Sequence, residues 1–301
     1  MNKESTWPIE LGTSGVLAPG RWLPLRSILW ATFLSACAMA FFLSTQYLGA
    51  WLHLPPSSSY FIVLGVPLLA FIGYAVLITV AEGRKPVEVL PHNGMIAEIS
   101  VGALLGFFML CAITALLWSL GLYHVQLNHW QHIFDSFVFN SYLSGMMEEL
   151  MFRAILLRIL GRAFGLRWGL VLSSGLFGIA HLSHGSWLAA VEITINAGLT
   201  MGLVYMATGR LWMSIGLHTA WDFTEDSLLG VNNHNGLLQS MPVAGKPDLL
   251  TGGKFGPDAS VLATFVGALA VAAIVNSSKR GFFRKMLPIL KDAKADYSKL
   301  Q

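Results

Sequence analysis

Three short stretches hold side chains that an apolar chain has little reason to carry. The first is Gly145-Met146-Met147-Glu148-Glu149-Leu150-Met151-Phe152-Arg153. Glu149 and Arg153 are four residues apart, so on a helix they stack on one face and neutralise each other, with the glutamate on the favourable N-terminal side. Glu148 is rotated by about 100° and has no such local partner, which leaves it free to act as a base. The second stretch, Phe177-Gly178-Ile179-Ala180-His181, ends a run of small and apolar residues on an imidazole. The third is Gly216-Leu217-His218-Thr219-Ala220-Trp221-Asp222. His218 and Asp222 share a helix face, where a carboxylate one turn from an imidazole fixes its tautomer or lines the same site. Each stretch also has a bland reading: an ion-paired Glu-Glu, a hydrogen-bonded packing histidine, a structural His–Asp bond.

Taken together, Glu148, His181 and His218 form a ligand set used for catalytic Zn2+, with a position left open for water. The same groups work without a metal. Glu148 then serves as general base on a water that His181 positions, and His218 with Asp222 polarises the carbonyl and stabilises the oxyanion. On either route water attacks an amide. Cys37 and Cys111 lie in other apolar blocks with no acid–base partner nearby, so a cysteine nucleophile, a disulfide scaffold and a Cys-rich metal site all fit poorly.

The elements that must position these residues are membrane helices. Of 301 residues, 54% are hydrophobic and 12% charged, against about 25% charged in a soluble domain. That excludes a polar-shelled soluble enzyme, and intrinsic disorder with it. The formal net charge of +3 is too small to suggest nucleic acid. Eight apolar blocks are expected to span: 28–48, 59–80, 96–120, 133–157, 168–182, 188–208, 211–229 and 259–276. The fold expected is an all-α, polytopic membrane helix bundle with both termini cytosolic. Residues 1–26 read as a cytosolic tail with no short apolar signal core, 27–277 as the eight-helix domain, and 278–301 as a basic cytosolic tail. The loops assigned to the cytosol hold Arg84, Lys85, Arg158, Arg162, Arg167 and Arg210, and the opposite side holds only Lys246 and Lys254, as the positive-inside rule requires. The long external segment, 230–257, reads as a loop with turns. Along their helices Glu148 lies roughly 15 Å from Arg158, His218 and Asp222 roughly 12 and 18 Å from Arg210, and His181 roughly 21 Å from Arg167. These depths meet at one level below the cytosolic surface if the helix of His181 tilts or starts late.

Other polar or aromatic positions read as structural. Glu192 and Asn196 form a polar pair beside Gly198-x-x-x-Gly202, a spacing that lets helices approach closely. Glu225 and Asp226 are expected in solvent and His184 at the interface. Trp22, Trp51, Trp187 and Trp212 are expected in aromatic belts.

At its unusual residues the sequence resembles the CPBP intramembrane proteases, the CAAX-protease and bacteriocin-processing or Abi family, which includes the type II CAAX prenyl endopeptidases. Glu148-Glu149-x-x-x-Arg153, Phe177-x-x-x-His181 and His218-x-x-x-Asp222 match, in order, that family's EExxxR, FxxxH and Hxxx(N/D) motifs within 139–223. The resemblance implies an all-helical membrane endopeptidase with its site in a cavity open toward the cytosol. It makes Glu148 the base or a metal ligand, with Glu149 and Arg153 in support, His181 and His218 in the site, and Asp222 beside them. Asp222 stands where the family often has Asn, and its extra negative charge favours metal binding over oxyanion stabilisation unless it is protonated. The substrate implied is a peptide or protein, lipidated in some relatives, met in a multi-pass protein of a prokaryotic cell membrane among its lipids. Two other classes fit a buried polar cluster. One is a non-enzymatic membrane partner, such as a bacteriocin-immunity-like protein. The other is a proton- or ion-coupled transporter, which would favour repeated halves that the sequence lacks.

Overall fold

The computed structural model describes residues 7–281 apart from 56, 91–92, 131, 184 and 232–235. His184 and all but the start of the basic C-terminal tail lie outside the described residues.

Among the described residues, eight long helical segments account for most of the chain. They are α1 (Leu23–Trp51), α2 (Ser58–Glu82), α3 (Met95–Ser119), α4 (133–164), α5 (Leu166–Ala180), α6 (Trp187–Thr208), α7 (212–228) and α8 (Val261–Lys279). Five of them, α1, α2, α3, α6 and α8, are long and apolar enough to cross a membrane, and the chain is an integral membrane protein. The other three, α4, α5 and α7, carry the motif residues, with His181 at the C-cap of α5. Outward-facing side chains agree with a lipid setting: Phe61 is 80% and Val80 79% exposed, which water would penalise and acyl chains would not. Local signals set several boundaries. Pro24 sits in the first turn of α1, where a missing N–H costs nothing. Ser186 and Ser260 cap α6 and α8 by accepting from Ala189 N at 3.2 Å and Ala263 N at 3.1 Å.

Three features differ from the sequence expectation. First, the fold is not purely helical. β1 (Tyr123–Leu127) pairs antiparallel with β2 (Leu238–Pro242), from Tyr123↔Pro242 to Leu127↔Leu238. The segment 230–257 is thereby tied to the α3–α4 connection, and Tyr123 Oη adds a bond to Thr251 O at 2.9 Å. Second, the N-terminal segment is not a free tail. Leu17 is fully buried, Arg158 donates to Leu11 O at 3.2 Å, and Arg162 donates to Leu17 O at 3.2 Å. Third, Trp212 is buried and stacks on Phe71 with ring centroids 6.2 Å apart, so it is no belt residue. Trp22, Trp51 and Trp187 are exposed as expected.

The two ends of the bundle differ in chemistry. At one end, the N-terminal segment, the α2–α3 connection, the α4–α5 turn and the α6–α7 turn meet around buried ion pairs. Arg158 grips Glu82 through both guanidinium nitrogens at 2.8 Å, and Arg84 grips Glu88 at 2.9 and 2.7 Å. Burial would raise the Glu88 carboxyl, but the Arg84 hydrogen bonds and the Arg158 and Arg84 charges outweigh it and hold Glu88 below the usual carboxylate range. Arg84, Arg158 and Arg210 are therefore paired, buried groups rather than free loop charges. The two strands close the opposite end.

Candidate active site

Backbone contact between helices fixes the site. A Cβ on Gly102 would lie 2.0 Å from Met213 O, one on Gly106 2.3 Å from Leu217 O, and one on Gly216 2.2 Å from Ile99 O. Only hydrogen fits at these three positions, so α3 and α7 touch main chain to main chain. Gly145 lets α4 approach α7 closely too, since its Cβ would fall 2.1 Å from the Thr219 side-chain Oγ1 and 3.1 Å from Thr219 N. His218 is thus held between α3 and α4 with little freedom.

The two adjacent glutamates separate as their helical rotation requires. Glu149 is fully buried, and its Oε1 lies 3.0 Å from Arg153 Nη1 and 2.9 Å from His218 Nδ1. The Arg153 guanidinium lies over the Phe177 ring at 4.5 Å. Glu148 turns the other way and is partly exposed. Its Oε2 is 4.0 Å from His218 Nε2 and has no hydrogen-bond partner among the described residues. Asp222 Oδ2 is 3.7 Å from the same nitrogen and accepts a hydrogen bond from Ser144 Oγ.

Phe177 links the two histidines. Its ring centroid is 4.7 Å from that of His181 and 5.8 Å from that of His218. His181 Nδ1 lies 2.8 Å from Phe177 O. A carbonyl only accepts, so Nδ1 carries a proton, which in a neutral imidazole leaves the lone pair on Nε2. Glu148 and His181 line one cleft of about 220 Å³, walled by Ala38, Met39 and Phe42 of α1 and by Met147 and Met151. It has room for several waters at about 30 Å³ each.

The structure brings Glu148, Glu149, Arg153, His218 and Asp222 into one cluster, with His181 beside it across Phe177. Among the described residues, no group of three or more His, Cys, Asp or Glu side chains is placed to hold a metal ion. The Phe177 ring packs against both imidazoles.

Two residues of the cluster went unnoticed in the sequence, Ser144 and Asn140. Asn140 Nδ2 donates to Asp226 Oδ2 at 3.3 Å. The available signal was polar residues at four-residue steps, 140, 144 and 148 on one helix and 218, 222 and 226 on the other. Asp226 is bonded here rather than merely solvated. Asn196 donates not to Glu192 but to Asp258 O. Gly198 and Gly202 do admit α5 closely, since added Cβ atoms would lie 3.0 Å from Ser174 Cβ and 2.5 Å from Leu170 Cδ1. In the loop before α8, burial pushes the Asp258 carboxyl up to about 7, with the Asp222 charge adding to it.

No curated protein matches the chain, and neither does any solved structure. Residues 128–224, a minority of the length but the part that holds α4, α5, α6 and the start of α7 with His218 and Asp222, match the family model described as type II CAAX prenyl endopeptidase Rce1-like. That match is consistent with the CPBP family of intramembrane proteases and spans all three motifs.

Proposed function

We propose that this protein is an intramembrane endopeptidase that hydrolyses a peptide bond with water activated by Glu148. The observation that carries the reading is the division of labour between neighbouring carboxylates. Glu149 is neutralised by Arg153 and His218, whereas Glu148 lines a cleft beside His181 and its Oε2 has no hydrogen-bond partner among the described residues. Glu148 takes a proton from a water that His181 Nε2 orients, and the hydroxide attacks the carbonyl carbon. The carbonyl oxygen gains the negative charge, and protonated His218 Nε2 donates to it. Collapse of the tetrahedral intermediate expels the amine, which takes its proton from Glu148. An ionised Asp222 has no proton for an oxyanion. It acts as a positioning residue that holds Ser144 and the Nε2 side of His218.

The reading needs no metal, and the side-chain placement favours that version. Eight spans and a cytosolic basic end complete it, in a prokaryotic membrane. The substrate is a peptide or protein with apolar residues beside the cleaved bond, and a lipidated tail fits the apolar wall from α1. The test is cleavage of a peptide library by the purified protein. Wild type should cut, and Glu148→Gln and His218→Ala should lose cleavage while remaining folded. A chelator should leave the wild-type rate unchanged. No cleavage by wild type, or retained cleavage by Glu148→Gln, refutes the proposal and favours a non-enzymatic membrane partner.

A further inference from the structure

His181 sits at an awkward place for a side chain that must hold still. It is the C-cap of α5 and opens a single 3-10 turn, so no continuing α-helix packs around it. The Nδ1 bond to Phe177 O at 2.8 Å fixes one atom of the imidazole, and a ring fixed at one atom can still swing about that bond. The Phe177 ring, 4.7 Å away and inclined by 46°, gives it a first wall. A second ring reaches it from far along the chain. The centroid of Phe255 is 6.2 Å from that of His181 with the planes at 64°, an edge-to-face contact.

The loop before α8 gives Phe255 a firm mount. Tyr123 of β1 donates to Thr251 O at 2.9 Å, Asn196 of α6 donates to Asp258 O, and Ser260 Oγ donates to Pro257 O at 2.6 Å. Between these ties Phe255 N donates to Gly252 O at 3.2 Å. Gly252 has φ +80°, and a Cβ there would fall 1.7 Å from Gly256 O, so the turn closes tightly on itself. Gly185, in the α5–α6 connection, seats the ring, since a Cβ there would lie 2.8 Å from Phe255 Cδ2. Phe255 also borders a cavity of about 280 Å³ with Gly185, Ser186 and Ala189. Truncating the ring therefore enlarges a space and brings no substitute against His181. Phe255 lies outside residues 128–224, so this brace comes from a part of the chain that the family match does not reach.

We infer that Phe255 is a positioning residue for the proposed reaction: with Phe177 it clamps the His181 imidazole so that Nε2 stays aimed at the water beside Glu148. This rests on the endopeptidase reading, which gives His181 that water. An imidazole braced by two rings samples fewer orientations than one braced by one, and the nucleophile it orients is in line for a larger share of the time. Phe255 touches no reacting atom and acts through His181.

The experiment compares wild type, Phe255→Ala, Phe255→Tyr, His181→Ala and the double variant Phe255→Ala/His181→Ala, each purified as the full chain in detergent. Phe255→Ala should lower kcat on the order of tenfold with KM unchanged, within the roughly hundredfold that an ångström of misplacement can cost. Phe255→Tyr keeps the ring and should keep the wild-type kcat. In the His181→Ala background, Phe255→Ala should cost nothing further, because the two residues act as one unit. A second readout needs no turnover. Hydrogen–deuterium exchange at the imidazole C2 atoms, read by mass spectrometry, should quicken severalfold at His181 in Phe255→Ala and stay unchanged at His218. If Phe255→Ala does not fold, Phe255→Leu is read in the same way. An equal loss of kcat in both backgrounds, or His181 exchange that loss of the ring leaves unaltered, overturns the inference. A wild type that cuts nothing while His181 exchange still quickens in Phe255→Ala refutes the endopeptidase reading and leaves the clamp standing.

Discussion

Replacing Glu149 should cost stability, whereas replacing Glu148 should cost only activity. Glu149 is fully buried and holds two partners through one oxygen, Arg153 Nη1 at 3.0 Å and His218 Nδ1 at 2.9 Å. Glu149→Leu leaves the Arg153 guanidinium, itself buried, without its counter-charge. Breaking a buried pair from one side costs about 3–5 kcal/mol. At about 2–4 °C per kcal/mol for a domain of 150–250 residues, the melting point in detergent should fall on the order of 10 °C. Removing both charges relieves the penalty. Glu149→Leu/Arg153→Met should therefore be more stable than the sum of its single variants by about 2–3 kcal/mol, the upper range for contacting residues. Glu148→Gln, at a partly exposed side chain with no hydrogen bond to lose on Oε2, should shift stability by less than about 1 kcal/mol. The assay is thermal unfolding of the five proteins, wild type included, side by side. Strict additivity of Glu149→Leu and Arg153→Met, or a Glu148→Gln protein as unstable as Glu149→Leu, would refute the assignment of Glu149 to structure and Glu148 to chemistry.

Two further outcomes follow from packing and charge. Gly102→Val should prevent stable folding, since its first added carbon falls 2.0 Å from Met213 O, whereas Gly175→Ala, with nothing within 4 Å, should be neutral or gain about 0.5–1 kcal/mol. Folded yield and melting point of the two variants compare them directly, and equal behaviour would contradict the α3–α7 contact. Glu88 is held below the ordinary carboxylate range in the folded protein. Its contribution is thus present above the unfolded value near 4.3 and lost as pH falls through the lower folded value. The stability gap between wild type and Glu88→Gln should be full at neutral pH and shrink only in acid, and a gap that grows on acidification would reverse the sign assigned here.

The sequence by itself determined the membrane setting, because long apolar blocks have few other uses. It also exposed the chemistry, because Glu148, His181, His218 and Asp222 stand out against those blocks, and the EExxxR spacing alone identified Glu149 as the partner of Arg153. Helix period decides both pairings within one helix. What crosses between helices was left to tertiary structure. Nothing local says that Glu149 also takes His218 Nδ1, that Phe177 packs against two imidazoles, or that Gly102 and Gly106 press α3 onto α7. Asn140 and Ser144 drew no notice in the sequence, because only the packing of α7 sets Asp226 and Asp222 opposite them. The β1–β2 pairing was hidden for the same reason, since its strands are far apart in the chain. The depth of the site also depended on packing: four-residue steps locate a residue along its own helix, but only the assembled bundle sets Glu148, His218 and Asp222 at one level.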